Sequence, residues 1–143
     1  MIEPQTIAYA LTDSPLGLAA WILQRRRTWS DPRDMSAVMD PDDLLAAATI
    51  YWVTETGGTA ARFYAEANRN PWRPSHDRRP VVEAPSGVSL FAANNPPGYD
   101  SSWIGDYYHL VFQRDHELGG HFPPIEQPQQ LVEDLRDMFR PLR

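Results

Sequence analysis

The sequence predicts an α/β chain in which helices come first and strands follow. Three observations point there. The first half holds two polar-residue–proline helix starts, Ser14-Pro15 and Asp40-Pro41, each leading into apolar residues at helical spacing. The second half holds short runs rich in β-formers, Val81-Val82-Glu83, Val88-Ser89-Leu90-Phe91 and Tyr107 to Phe112. An amphipathic stretch from Gln127 to Arg140 closes the chain, with Leu131, Leu135, Met138 and Phe139 on one side.

Taken in order, Ser14 reads as N-cap and Pro15 as the first helical residue, with Leu18, Trp21, Ile22 and Leu23 as the apolar face. Arg25-Arg26-Arg27 falls at the end of that helix, where cations suit the negative end of the helix dipole. The segment Thr28 to Met39 reads as a polar loop. A second helix follows Asp40-Pro41. Asp42 and Asp43 suit its positive end, and Leu44, Leu45, Ala48, Tyr51 and Trp52 have helical spacing. A third helix is expected from about Thr59 to about Ala67. Asn70-Pro71-Trp72-Arg73-Pro74 breaks it. Pro85-Ser86-Gly87 reads as a turn between two short strands, and Asn94 to Gly98 as a loop. Gln127-Pro128 reads as N-cap and first residue of the last helix.

Composition narrows the function classes. The formal charge is -6, which argues against a nucleic-acid partner. There are no cysteines, so disulfides and thiolate metal sites are excluded, and a cytoplasmic location is expected. All 13 basic residues are arginine, the usage of a GC-rich bacterial source. No apolar run is long enough to cross a membrane, and Met1-Ile2-Glu3-Pro4 lacks the basic start and apolar core of a signal peptide. No Gly-x-Ser-x-Gly elbow, phosphate loop or calcium loop occurs. His76, His109, His116 and His121 have no metal-ligand spacing, so neither metal nor cofactor is expected.

The most informative segment is Glu117-Leu118-Gly119-Gly120-His121-Phe122-Pro123-Pro124-Ile125-Glu126-Gln127-Pro128. Two glycines before a histidine suit a tight loop that holds an imidazole at a strand end without Cβ clashes. Histidine is the side chain best suited to move a proton near neutral pH.

This segment, with Leu131 to Arg136, resembles the carboxy-terminal end of epoxide hydrolases of the α/β-hydrolase fold, closest to the microsomal type. The likeness continues through Ala10 to Leu23, Asp42-Asp43-Leu44-Leu45, Tyr51-Trp52-Val53-Thr54, Arg62-Phe63-Tyr64 and Ala84 to Phe91. It implies an incomplete α/β-hydrolase fold: a helical cap over residues 1–73, then the last two parallel strands and closing helix over 74–143. It also implies that the chain begins past the middle of the family's protein, so that the nucleophilic aspartate and the oxyanion loop lie outside it. The family's second tyrosine would fall just before Met1.

The resemblance assigns roles residue by residue. His121 matches the water-activating histidine and Tyr64 the cap tyrosine that polarises the epoxide oxygen, so the two should serve one substrate. The position of the family's triad acid, Glu or Asp, is Asn94 here. Asp100, Asp106 and Asp115 are candidate substitutes, each read first as a solvated surface aspartate, and Glu126 is expected to support the loop or helix start. The implied reaction is hydrolysis of a small hydrophobic epoxide to a vicinal diol through an alkyl-enzyme ester. An isolated chain lacking the nucleophile should be inactive. Its implied partner is an amino-terminal half of the hydrolase, or another copy of itself. The alternatives are a non-catalytic remnant or binding module, one chain of a complemented hydrolase, or a related dehalogenase or esterase chemistry.

Overall fold

The computed structural model of the protein describes residues 3–33, 35, 38 and 40–142. Positions 34, 36, 37 and 39 of the expected Thr28–Met39 loop, and Met1, lie outside the described residues. The chain divides into two compact units, Met1–Thr28 with Met39–Arg73, and Trp29–Val38 with Pro74–Arg143. The segment 29–38 therefore groups with the second unit, a placement that a single cut after residue 73 does not express.

The first unit is helical: α1 Pro4–Asp13, α2 Pro15–Trp29 as far as Thr28, α3 Pro41–Val53 and α4 Gly57–Arg69. The sequence reading expected three helices here and missed α1. Pro4 sits at its start, but its N-cap, Glu3, makes no side-chain capping bond, so the usual N-cap signal is absent. The other starts follow the expected chemistry. Ser14 Oγ accepts the Gly17 N–H at 3.0 Å, and Asp40 Oδ1 accepts those of Asp42 and Asp43 at 2.9 and 3.2 Å. Leu11, Leu18 and Ala61 form a small buried core flanked by Ile7, Trp21 and Ile22. Much apolar surface stays outside it. Leu44 and Ala48 of α3 are buried, whereas Leu45, Tyr51 and Trp52 are exposed, and so is Leu23 of α2.

The second unit is built on two parallel strands, β1 Val82–Phe91 and β2 Tyr108–His116. The expected turn at Pro85-Ser86-Gly87 is instead part of one continuous β1. Register irregularities between Val82 and Pro85 and between Ser86 and Gly87 absorb it. Proline is tolerated where a strand is irregular or at an edge, because its missing N–H is not needed there. A short helix, α5 Trp103–Tyr107, precedes β2, and β2 runs four residues beyond the expected Phe112. Tyr108, Leu110, Phe112, Arg114 and His116 alternate inward along it. The polar members of that series stay on the inner face because of what they meet.

They meet α7, Pro128–Phe139, which follows the one-turn α6 Pro123–Glu126. Asp134 of α7 is almost fully buried and collects three donors. Ser89 Oγ and His116 Nε2 each lie 2.6 Å from its Oδ2, and an Arg114 N–H donates to its Oδ1 at 2.8 Å. Arg114 also reaches Asp137 at 2.9 Å. Burial opposes ionisation of Asp134, but the hydrogen bonds from Ser89, His116 and Arg114 outweigh it and hold its carboxyl below the usual range. One carboxylate thus fastens α7 to both strands. Leu131 and Met138 turn toward the sheet beside it, while Leu135 and Phe139, expected on the same face, are about half exposed. An apolar recess of about 340 Å³ lies between Gly87 and Phe91 of β1 and Leu131 and Met138 of α7. A Cβ at position 87 would run into the Met138 sulfur.

Replacing Asp134 with alanine leaves Arg114 and His116 facing a buried site with no carboxylate. Breaking a buried pair from one side typically costs about 3 kcal/mol or more. Asp134→Ala should therefore lower unfolding stability by about that amount in chemical denaturation, and Ser89→Ala by about 1 kcal/mol. Equal stability of Asp134→Ala and wild type would show that α7 is held by apolar contact alone.

Candidate active site

The two strands end level. Phe91 and His116 are register partners, and their rings stack with centroids 4.7 Å apart. The carboxyl ends of neighbouring parallel strands are where α/β sheets place ligand sites. After β1 the chain turns through a 3₁₀ segment, Ala92–Asn94; after β2 it runs through Glu117 to His121. The Ala93 N–H donates to Gly119 O at 3.1 Å and ties the two loops together.

His121 Nδ1 lies 2.9 Å from Asn94 Oδ1. An amide oxygen only accepts, so Nδ1 is the nitrogen that donates to it, and in the neutral ring Nε2 is the one with the lone pair. The Trp29 and Phe122 rings meet the imidazole edge-on, with centroids at 5.0 and 5.2 Å. The His121 N–H donates to Trp29 O at 2.8 Å. His121 and Asn94 are both exposed, so a water or ligand can reach the ring.

Each glycine before His121 has its own reason. Gly119 has φ +104°, a region that side chains disfavour, and a Cβ there would come within 2.7 Å of the Phe91 ring. Gly120 packs against backbone: a Cβ would lie 2.7 Å from both Asp31 N and Trp29 O. No rotamer change relieves that contact.

Two buried carboxylates lock the loop in place. Glu126 Oε2 accepts the N–H of Asp31 at 2.7 Å and of Gly120 at 2.8 Å, and its Oε1 accepts that of Phe122 at 2.8 Å. Asp31 Oδ2 in turn accepts the Gly119 N–H at 2.9 Å, and Arg33 grips both oxygens of Asp31 at 2.6–3.1 Å. Arg33 also donates to Glu117 O. The Arg33 guanidinium holds the Asp31 carboxyl well below the usual carboxylate range; burial opposes this, and the N–H groups of Arg33 and Gly119 reinforce it.

The expected support role of Glu126 matches these bonds. Asp31 and Trp29 were not singled out from the sequence. Ser30-Asp31-Pro32-Arg33 reads locally as a turn, and the only hint was an Asp-Pro-Arg string in which the arginine can fold back on the aspartate. The substitute acids do not reach the histidine. Asp100 is occupied by the Ser102 N–H and hydroxyl, both at 2.9 Å, while Asp106 and Asp115 are exposed; none of the three bonds His121 among the described residues. Asn94 alone of the proposed acid positions meets His121. Tyr64 lies in the first unit on α4, 49% exposed, with its ring edge-on to Phe63 at 5.8 Å. Among the described residues no group of three or more His, Cys, Asp or Glu could hold a metal, and no helix is long and apolar enough to cross a membrane.

Comparison with known proteins places this arrangement. No protein-family model matches the chain. It is 31% identical over 144 residues to epoxide hydrolase 1 of Sus scrofa, covering 94% of this chain and 31% of that protein. The structure of Aspergillus niger epoxide hydrolase superposes with a TM-score of 0.76 at 31% identity, over 99% of this chain and 34% of that one. This chain is a homologue of the epoxide hydrolases. The juvenile hormone epoxide hydrolase of Bombyx mori also superposes, with a TM-score of 0.68 at 27% identity over 97% of this chain and 37% of that one. The chain spans about 31% of the length of the curated epoxide hydrolases it matches and corresponds to a carboxy-terminal portion of them. Its helices and two parallel strands are a partial α/β-hydrolase fold. The relatives include mammalian and insect proteins, so the kinship is not confined to a bacterial source.

Two outcomes follow for this epoxide hydrolase homologue. Gly120→Ala forces loop backbones apart and should cost about 2 kcal/mol in denaturation, the scale of an overpacked site. A neutral Gly120→Ala would mean that the 29–33 and 117–122 loops do not touch. The Asp31 carboxyl, depressed in the folded state, stabilises above its ordinary value near 3.8. That stabilisation is lost as pH falls below this value toward the folded one. Acid titration of unfolding should show a loss below about pH 4 that Asp31→Asn reduces, the remainder belonging to other depressed carboxyls such as Asp134. Identical acid profiles would contradict the Asp31–Arg33–Gly119 arrangement.

Proposed function

We propose that this chain carries the water-activating portion of an epoxide hydrolase, with His121 as general base. One observation carries the reading: His121 Nδ1 meets the Asn94 amide oxygen at 2.9 Å, which leaves Nε2 as the nitrogen to take a proton, at the level carboxyl ends of two parallel strands. In the proposed reaction an aspartate carboxylate from outside these residues attacks an epoxide carbon. The ring C–O bond opens and an alkyl ester forms. The Tyr64 hydroxyl is assigned the hydrogen bond to the departing oxygen as charge develops on it. Nε2 of His121 then takes a proton from water as that water adds to the ester carbonyl. Collapse of the adduct breaks the ester C–O bond and regenerates the aspartate; the imidazolium returns its proton to the leaving alkoxide, and the second proton of the water ends on the oxygen opened from the ring, so the diol leaves. The substrate class is a small hydrophobic epoxide.

Asn94 sets the strength of this machine. It orients the imidazole and fixes its tautomer, but it brings no negative charge to stabilise imidazolium. That neutral partner favours a second reading, a remnant that binds without turning over. The two readings separate by experiment. The chain alone should form no diol from styrene oxide above background, because its 143 residues hold no elbow of the nucleophile type. Combined with the portion of a homologous hydrolase that supplies a nucleophilic aspartate, it should form diol, and His121→Ala should abolish this. Asn94→Asp should then raise turnover by about tenfold or more, since a carboxylate stabilises the cation. Absence of diol in the combined protein, with Asn94→Asp also silent, would favour the remnant. Diol formed by the chain alone and lost in His121→Ala would reveal a nucleophile within it.

A further inference from the structure

We infer that Glu126 and Asp31 are positioning residues for the His121 imidazole, acting together as a reciprocal carboxylate clasp. The inference rests on the reading of His121 as the general base and adds residues outside the expected catalytic set.

Glu126 brackets the histidine. Its two oxygens take the N–H of the residue before His121 and of the residue after it, at 2.8 Å each. The intervening N–H of His121 goes to Trp29 O at 2.8 Å. All three peptide N–H groups of the segment Gly120 to Phe122 are therefore fixed. The groups that fix them are themselves cross-linked. Glu126 accepts from Asp31 N, two residues past Trp29, and Asp31 accepts from Gly119 N, two residues before His121. The circuit closes between segments nearly a hundred residues apart in sequence. Its chemistry is specific to carboxylates. Glu126 must accept on both oxygens, and glutamine has one accepting oxygen and an amide that would confront an N–H. Asp31 likewise accepts on both oxygens, from Gly119 and Arg33.

The consequence for catalysis is angular. His121 is on an exposed loop, where an imidazole would otherwise sample several rotamers. Asn94 fixes one ring nitrogen, but one hydrogen bond leaves the ring free to swing about its own backbone. With that backbone pinned on both sides and the Trp29 ring against one edge, Nε2 has a single direction. A second function for the clasp follows from Trp29. The same segment that aligns the base carries the aromatic wall beside it, so wall and base move as one body.

Nuclear magnetic resonance of the full chain tests this without requiring activity. In the wild type, ring ¹⁵N shifts should report one tautomer with Nδ1 protonated. The amides of Gly120, His121 and Phe122 should exchange as slowly as those in the middle of α7. Glu126→Gln should give a mixture of His121 tautomers and at least tenfold faster exchange of those three amides, with α7 unchanged. Asp31→Asn should do the same more weakly, and the double variant should do no more than Glu126→Gln, because the two residues act in one circuit. A brace that merely supports the fold would slow or speed exchange across the unit and leave the tautomer alone. Rapid exchange of the three wild-type amides, or an unchanged tautomer in a folded Glu126→Gln, would overturn the proposal, and the wild-type measurement stands even if a variant fails to fold. The failure of the underlying reading looks different. Diol formation in a combined protein that survives His121→Ala would remove the catalytic role and leave a rigid loop.

Discussion

Carboxylates that accept backbone and side-chain donors, more than apolar packing, hold the second unit together. Asp134 draws Ser89, His116 and Arg114 onto one helix, and Glu126 with Asp31 draws two distant loops onto each other. Each is buried, and a buried carboxylate persists only where its lone pairs are filled. Filling them requires donors from different segments to arrive in fixed positions. That requirement specifies geometry more tightly than an apolar contact, which tolerates sliding. With only two strands to build on, the unit has little sheet area to bury, so such directional bonds matter more.

The legible parts of the fold were those whose signal is local. The Asp40 cap, the Pro128 helix start and the glycine pair before His121 each express a backbone requirement within a few residues, and the structure meets each one. The misread parts were those settled at a distance. Pro85-Ser86-Gly87 has turn composition, yet it lies within β1, because pairing with His109, Leu110 and Phe112 outweighs local preference. Arg114 and His116 look like the start of a loop, yet β2 continues through them, because Asp134 on a later helix compensates their inward placement.

The same division applies to the site. His121 was legible because its glycines announce a tight approach, and the position of Asn94 followed from family likeness. Their meeting at 2.9 Å is a fact of tertiary structure. Asp31 was hard to see because its neighbour in sequence, Arg33, signals no more than a local turn, and its other bonds are remote. Its remote partners are Gly119 and, through its own N–H, Glu126. A residue whose role is to accept from remote backbone leaves no pattern in composition or periodicity. Trp29 is similar: it falls in the segment that reads as a polar loop, and its ring instead faces an imidazole.

The level ending of β1 and β2 makes the site a matter of counting. Phe91 and His116 share a rung, so both loops leave from the same height. From that rung Asn94 is three residues away along one path and His121 five along the other. The pair meets because these two short tethers have the right lengths. Changing a side chain on either tether alters a contact, but adding or removing one residue alters the reach of everything beyond it. Apart from the two glycines, the tethers should therefore drift in composition more freely than in length.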